Sequence, residues 1–402
     1  MPTPSDRGVG ARRTDELLPE RLRDLGTTVF AEMSMLAEST GSINLGQGFP
    51  DTDGPREVAE AAVAAIRTGH NQYPPGPGTL GLREAIAAHQ QRWYGLEVDP
   101  TTEVLVTAGA TGAIAAAMLA LVGPGDEVIA LEPYYDSYAA AIAMAGGRRV
   151  PVPLPAPDFR LDIDRLRAAV GPRTRLLLIN SPHNPTGTVL TDRELADVAA
   201  VACEHDLIVV TDEVYEHLVF DDQRHTPLAG LPGMAERTVT ISSAGKTFSF
   251  TGWKVGWVTS TPALVAAVRT TQQYLTYSGG APFQPAVALA LGLPTSYFDA
   301  LRGDLAARRD QLADGLAGLG LAVHRPGGTY FLLTDVRPLG FDDGVEFARL
   351  LPGRAGVVAI PASVFYDDVQ AGRPYVRWAF CKRPEVIDEA LNRLSDARLS
   401  DA

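Results

Sequence analysis

The chain has 402 residues, 46% of them hydrophobic and 21% charged, and a formal net charge of −13. That length calls for more than one core, and ordinary charged content argues against wholesale disorder. The acidic balance, with no long basic run, excludes nucleic acid and membrane surfaces as expected partners.

In chain order, the first residues crowd proline, glycine and charge, and read as a flexible tail (1–25) without the apolar stretch of a signal peptide. The longest apolar run, 113–122, is far too short for a bilayer span. Cys203 and Cys381 form no CxxC pair and read as reduced, mostly buried thiols in a cytoplasmic protein. From 103 to 258 short apolar runs alternate with helix-length segments. Strands are expected at 103–107, 127–131, 175–179, 207–212, 238–241 and 255–259, with helices such as 112–121 and 192–205 between them. This alternation predicts a largely parallel α/β sheet covered on both faces. Past Tyr297 the texture changes: a helix at 297–319 precedes strands at 322–324, 329–333 and 375–379. The expected architecture is a large α/β domain, 56–297, and a smaller α+β domain built from 26–55 and 298–402.

Several motifs fail on inspection. Gly245-Lys246-Thr247 looks like the end of a P-loop, but Thr240 stands where that motif needs glycine. Ser243 to Lys246 fits S-x-x-K, yet no S-D-N or K-T-G follows. No G-x-G-x-x-G follows a strand, and the seven histidines form no H-E-x-x-H, so no dinucleotide or metal site is expected.

Four strand ends carry the remaining chemistry. After 103–107 comes Thr107-Ala-Gly-Ala110-Thr111-Gly112, whose Ala110 and Thr111 amides at a helix start suit a phosphate. Such a turn also serves plain strand–helix packing. Asp212, with Tyr215 beyond it, is either a helix cap or a buried carboxylate for a cationic ring nitrogen. Asn184, between Pro182 and Pro185, is either a self-bonded turn residue or a rigid amide donor. Lys246 sits among small and aromatic residues, where desolvation would lower its pKa and make the amine nucleophilic. Lys254 offers a second cation. A buried lysine, a ring-nitrogen carboxylate and a phosphate cradle are together what pyridoxal 5′-phosphate (PLP) needs.

Ser242-Ser-Ala-Gly-Lys-Thr-Phe-Ser-Phe-Thr-Gly-Trp-Lys-Val-Gly-Trp257, Ser181-Pro-His-Asn-Pro-Thr-Gly187, the run from Thr211 to Phe220, and the run from Asn44 to Asp51 resemble the class I/II, fold-type I PLP aminotransferases. The resemblance covers nearly everything from Phe30 to the last helix. It lies in the kynurenine/glutamine transaminase branch and is most similar to the actinobacterial N-succinyldiaminopimelate aminotransferases. It implies that Lys246 binds PLP covalently, that Asp212 pairs with the ring nitrogen, and that Asn184 and Tyr215 bond its phenolic oxygen. Ala110, Thr111, Ser243 and Lys254 would hold the phosphate, and Tyr135 would stack on the ring. Arg377, with Gly48, would take the substrate α-carboxylate, while Phe30, Phe49 and Tyr330 would line the side-chain pocket. Tyr73 would reach a neighbouring subunit's phosphate, so a homodimer with shared sites is implied.

Ala110-Thr111 replaces the Gly-Tyr common in kynurenine-type enzymes, and Gly280 replaces their histidine. Lys254 stands where aspartate-type relatives have arginine. The implied reaction moves an amino group between an amino acid and a 2-oxo acid, with glutamate/2-oxoglutarate as one pair and N-succinyl-L,L-diaminopimelate transamination in lysine biosynthesis as the best match. The alternatives are a broad glutamine, methionine or aromatic aminotransferase and a cysteine-S-conjugate β-lyase.

Overall fold

The structure, a computed structural model, describes residues 17–23, 25, 28–397 and 399. Most of the expected tail, 1–25, lies outside the described residues. The strands are β1 (Ile43–Asn44), β2 (Val104–Ala108), β3 (Glu127–Glu132), β4 (Arg148–Pro153), β5 (Thr174–Asn180), β6 (Ile208–Asp212), β7 (Thr238–Ser243), β8 (Val255–Thr259), β9 (Ala322–His324), β10 (Phe331–Asp335), β11 (Val357–Val358), β12 (Ile360–Pro361) and β13 (Tyr375–Ala379).

Seven of them form one sheet in the order β2-β8-β7-β6-β5-β3-β4. Only β8 runs against its neighbours, antiparallel to both β2 and β7. The carboxyl ends of the other six therefore share one edge, and β8 starts at that same edge. The central strands are apolar on both faces because helices cover both. Ile129, Leu177 and Val209 pack with the helix Asp192–Glu204, while Val128, Leu176 and Val210 pack with the helices Gly109–Leu121 and Pro262–Leu275.

The expected strands are found within one or two residues of their places, and two differences have clear causes. β4 was not anticipated, since Pro151 and Pro153 argue against a strand; it pairs with β3 alone, and at an edge the missing proline N–H groups cost no ladder bonds. The strand expected at 329–333 begins at Phe331 instead, because Thr329 has a positive φ of 66° and cannot join the ladder. Helix 297–319 is found as Thr295–Gly318. Cys381 is buried but Cys203 is exposed at the end of its helix, which corrects the expectation of two buried thiols.

The smaller sheet has the order β12-β13-β10-β9, all antiparallel. Short β1 pairs in parallel with β11, and the Ala379 amide donates to Leu45 O at 2.6 Å. The segment after β1 is thereby tied beside Arg377 on β13. No described helix is long and apolar enough to cross a membrane.

Candidate active site

Along the shared strand edge, Asn180 ends β5, Asp212 ends β6, Ser243 ends β7, and β2 runs straight into the helix Gly109–Leu121. These ends, the 47–49 segment and Arg377 surround a cavity of about 1060 Å³. Every residue proposed from the sequence lines it except Tyr73 and Tyr330.

Asp212 is buried, and its partners are neutral: the Tyr138 hydroxyl donates to Oδ2 at 2.6 Å and the Val214 amide to Oδ1 at 3.3 Å. Burial raises its pKa above the ordinary value, against the lowering effect of the Tyr138 bond. A buried carboxylate with only neutral donors is stabilised by a cation brought to its open side. Asn180 holds this edge together. Its Nδ2 donates to Asp212 O (2.8 Å) and Pro182 O (3.1 Å), and its Oδ1 accepts from the Asn184 amide (2.8 Å).

Lys246 lies in the short helix Ala244–Thr247, which directly follows Ser243. Its Nζ is 5.7 Å from the ring centre of Tyr215 and 5.5 Å from that of Tyr330. Desolvation lowers its pKa to about 8, partly offset by Cys381 and Asp212. A lysine at about 8 presents a usable fraction of neutral amine near neutral pH. Because the unfolded chain binds the proton more tightly, the stability of the cofactor-free protein should rise between about pH 8 and 10.5. The rate at which the cofactor-free protein takes up PLP should likewise climb through about pH 8, read as growth of visible absorbance. A climb centred above 10 would place Lys246 in water.

Tyr330 sits behind Lys246 on a smaller cavity of about 270 Å³, and its hydroxyl donates to Gly48 O at 2.5 Å. The next residue, Phe331, is the one that faces the large cavity. Tyr330 thus braces the Gly48 turn. Gly48 has no room for a Cβ, which would meet the Phe331 ring at 2.2 Å.

No side chain caps the helix Gly109–Leu121, so its first amides, including Ala110 and Thr111, are open to an anion. Pairing of Ala108 with Val255 brings Lys254, at a φ of 55°, against Gly109. Gly256 makes this approach possible, since a Cβ there would lie 2.6 Å from Gly109 C and 2.8 Å from Ala110 N. Both are backbone atoms and cannot swing aside. Gly256→Ala should cost about 1–3 kcal/mol of stability and weaken cofactor retention, measured by thermal unfolding and equilibrium dialysis.

Arg377, 1% exposed, donates from Nη1 to Asn184 Oδ1 (2.9 Å) and from Nη2 to Gly46 O (2.8 Å). Its guanidinium carbon lies 3.9 Å from the Phe331 ring centre, 4.9 Å from Phe365 and 5.0 Å from Phe30. Nε has no partner. Burial lowers its pKa only to about 10, so it stays charged at neutral pH. A buried cation with neutral partners and a wholly unpartnered Nε is a receptor for a carboxylate.

Tyr135 and Phe30 stand edge to face across the cavity at 6.4 Å, and Phe49 borders it with the Lys382 ammonium 4.0 Å from its ring. Tyr73 lies away from the cavity, 86% exposed and packed edge-on against Tyr277. Sequence reasoning missed Tyr138, Asn180, Asp136 and the ion pair of Arg349 with Glu32, all on the cavity wall. Tyr138 follows Tyr135 by three residues, close enough for both to face one cavity, and that spacing was the available signal. The fold also gathers His89, Glu216 and His217 in a buried cluster. There the two imidazoles share a bond of 2.7 Å, and Glu216 accepts from Tyr94 (2.7 Å) and Ser242 (2.5 Å).

The family of class I and II aminotransferases matches residues 40–394. The chain belongs to this family. The probable N-succinyldiaminopimelate aminotransferase DapC of Mycobacterium tuberculosis is 59% identical over 386 residues, 93% of this chain and 97% of that protein. The solved structure of N-succinyldiaminopimelate aminotransferase from Mycobacterium tuberculosis matches with a TM-score of 0.93, covering 94% of this chain and 100% of that one. The methionine aminotransferase of Escherichia coli is 42% identical over 379 residues, 94% of this chain and 98% of that protein. The fold is that of the fold-type I enzymes, and the chain is a PLP-dependent aminotransferase acting on amino and 2-oxo acids. The residues present fit the cofactor. Buried Asp212 is hydrogen-bonded only by neutral donors, Lys246 supplies a low-pKa amine, and Gly256 clears a cradle of open amides beside Lys254.

Proposed function

We propose that the chain moves an amino group between N-succinyl-L,L-diaminopimelate and the glutamate/2-oxoglutarate pair, as a step of lysine biosynthesis. The reading is supported by the name and 59% identity of the mycobacterial relative. The observation that carries the chemistry is the unpartnered Nε of buried Arg377, on the same cavity as the Lys246 amine.

PLP, when bound, supplies an electron sink for the pair left as the donor's Cα–H bond breaks. Arg377 and the Gly48 turn fix the donor's α-carboxylate, which sets the direction of that bond. The Lys246 amine would take the Cα proton as a base and return it, as an acid, to the carbon on the far side of the transferred nitrogen. Asp212 would keep the ring nitrogen protonated, while Asn184 and Tyr215 would hold the phenolic oxygen. Ala110, Thr111, Ser243 and Lys254 anchor the phosphate, and Tyr135 packs on the ring. Phe30 and Phe49 border the donor's side chain, with Phe331 in the place first given to Tyr330. Arg377→Gln should lower kcat/KM for every amino donor about 100-fold, mostly through KM, and single-turnover rates against donor concentration check this.

The same proposal includes a homodimer in the cytoplasm. Tyr73, Tyr274 and Tyr277 are exposed apolar surface on one face, and a second copy covering it would let Tyr73 reach the partner's phosphate. Sedimentation should give twice the chain mass; a monomer with full activity would remove Tyr73 from the site. We also retain 26–55 with 298–402 as one domain and 56–297 as the other.

Glutamate formation from 2-oxoglutarate with the succinylated donor tests the function. Methionine, glutamine or aromatic donors reacting in its place would favour the broad-specificity reading. Pyruvate released from a cysteine conjugate without an oxo acid would mark a β-lyase.

A further inference from the structure

Among the described residues, four cations line the large cavity: Lys246, Lys254, Arg377 and Arg349. The first three have tasks in the proposed reaction, namely cofactor attachment, phosphate and α-carboxylate. Arg349 has none. It lies on the helix Gly344–Ala355, one turn after Val345, and both face the cavity. Opposite stands the helix Val29–Thr40, which brings Val29, Phe30, Glu32 and Met33 to the same wall. Arg349 Nη2 donates to Glu32 Oε1 at 3.0 Å, and the two side chains are 63% and 49% exposed. The ion pair therefore joins the two helices at the solvent side of the cavity, whereas Arg377 lies at its buried end.

We propose that Arg349 is the distal anchor of the donor site, binding a carboxylate at the far end of a long acyl-amino donor after exchanging it for Glu32. This rests on the reading of the donor as N-succinyl-L,L-diaminopimelate, which carries carboxylates well beyond the reacting carbon. An ion pair this exposed is held weakly, so an incoming carboxylate replaces Glu32 at small cost. A guanidinium can take that carboxylate through two parallel N–H donors, which the single bond to Glu32 does not use. Val345, Met33 and Val364 supply apolar wall for the methylene chain between the two anchors. A short neutral donor such as methionine gains nothing from Arg349. In its absence Glu32 neutralises the arginine, which keeps a bare charge from facing the apolar wall.

The test is the acceptor-free half-reaction of the PLP-loaded enzyme, followed by loss of visible absorbance, with N-succinyl-L,L-diaminopimelate and with methionine. Arg349→Gln should raise the half-saturating concentration of the succinylated donor about tenfold or more, with the limiting rate little changed. The ratio of its kcat/KM to that of methionine falls by the same factor. Arg349→Lys should recover part of the loss, and Glu32→Gln should lower the half-saturating concentration below that of the wild type. Equal losses for both donors in Arg349→Gln would mean a structural role and overturn the proposal, as would no change for either. If the wild-type enzyme reacts with methionine but not with the succinylated donor, the functional reading itself fails, and the anchor with it.

Discussion

Lys246→Ala should lower kcat by about four orders of magnitude or more, because one side chain both attaches the cofactor and moves the Cα proton. Among the described residues, no other amine is positioned for either task. Lys254 is the nearest candidate in sequence, but its backbone at a φ of 55° sets it against Gly109 on the phosphate side. The variant should still fold, since the strand β7 and the helix Ala244–Thr247 do not depend on the amine. Circular dichroism and thermal unfolding would confirm this beside the activity assay. A small exogenous amine should restore part of the proton transfer, which a merely misfolded variant would not show. Turnover within tenfold of the wild type would remove Lys246 from the chemistry.

Asp212→Asn should cost roughly three orders of magnitude in the limiting rate of the half-reaction while most of the cofactor stays bound. The carboxylate is buried, takes a 2.6 Å bond from Tyr138, and has a raised pKa, so it stabilises a cation facing it and little else. Asparagine preserves the shape and can still accept one of the two bonds, from Tyr138 or from Val214, but it cannot hold a ring nitrogen protonated. Phosphate contacts and attachment to Lys246 are separate from it, which is why retention should survive. The measurement is a single-turnover rate alongside a PLP content assay. Equal loss of both would make Asp212 a structural cap, the other reading of an acidic residue at a strand end.

What the sequence revealed of this site follows the chain's local order. Asp212, Asn184, Lys246 and the Ala110–Thr111 turn each end a strand of a parallel sheet, and apolar runs mark such strands well. Their convergence needs only the rule that ligands bind at the carboxyl ends of these strands. The antiparallel course of β8 could not be read in this way, yet it is what brings Lys254 to Gly109. Contacts spanning long separations were equally hidden. Arg377 meets Asn184 across 193 residues, and His89 meets His217 across 128, with no motif joining either pair.

Tyr330 and Phe331 show a finer limit. Adjacent residues in extended backbone point to opposite sides, so moving the strand start by two residues leaves the parity intact but not the knowledge of which side is the cavity. The positive φ at Thr329 fixes that choice, and threonine there gives no warning of it. β4 was invisible for a different reason. Proline is read as a strand breaker, and only the knowledge that this strand lies at an edge makes Arg148–Pro153 acceptable. The Arg349–Glu32 pair could not be anticipated at all, because two exposed charges 317 residues apart look like any solvated surface charges.

The most direct test of the account is a titration of the purified, PLP-loaded protein with N-succinyl-L,L-diaminopimelate in the absence of any oxo acid. The account predicts that the visible band of the lysine-bound cofactor is lost at low donor concentration, and that 2-oxoglutarate then restores it with release of glutamate. A band that persists with this donor but disappears with methionine, glutamine or aromatic amino acids would contradict the proposed donor. A protein that acquires no visible band with added PLP would contradict the site.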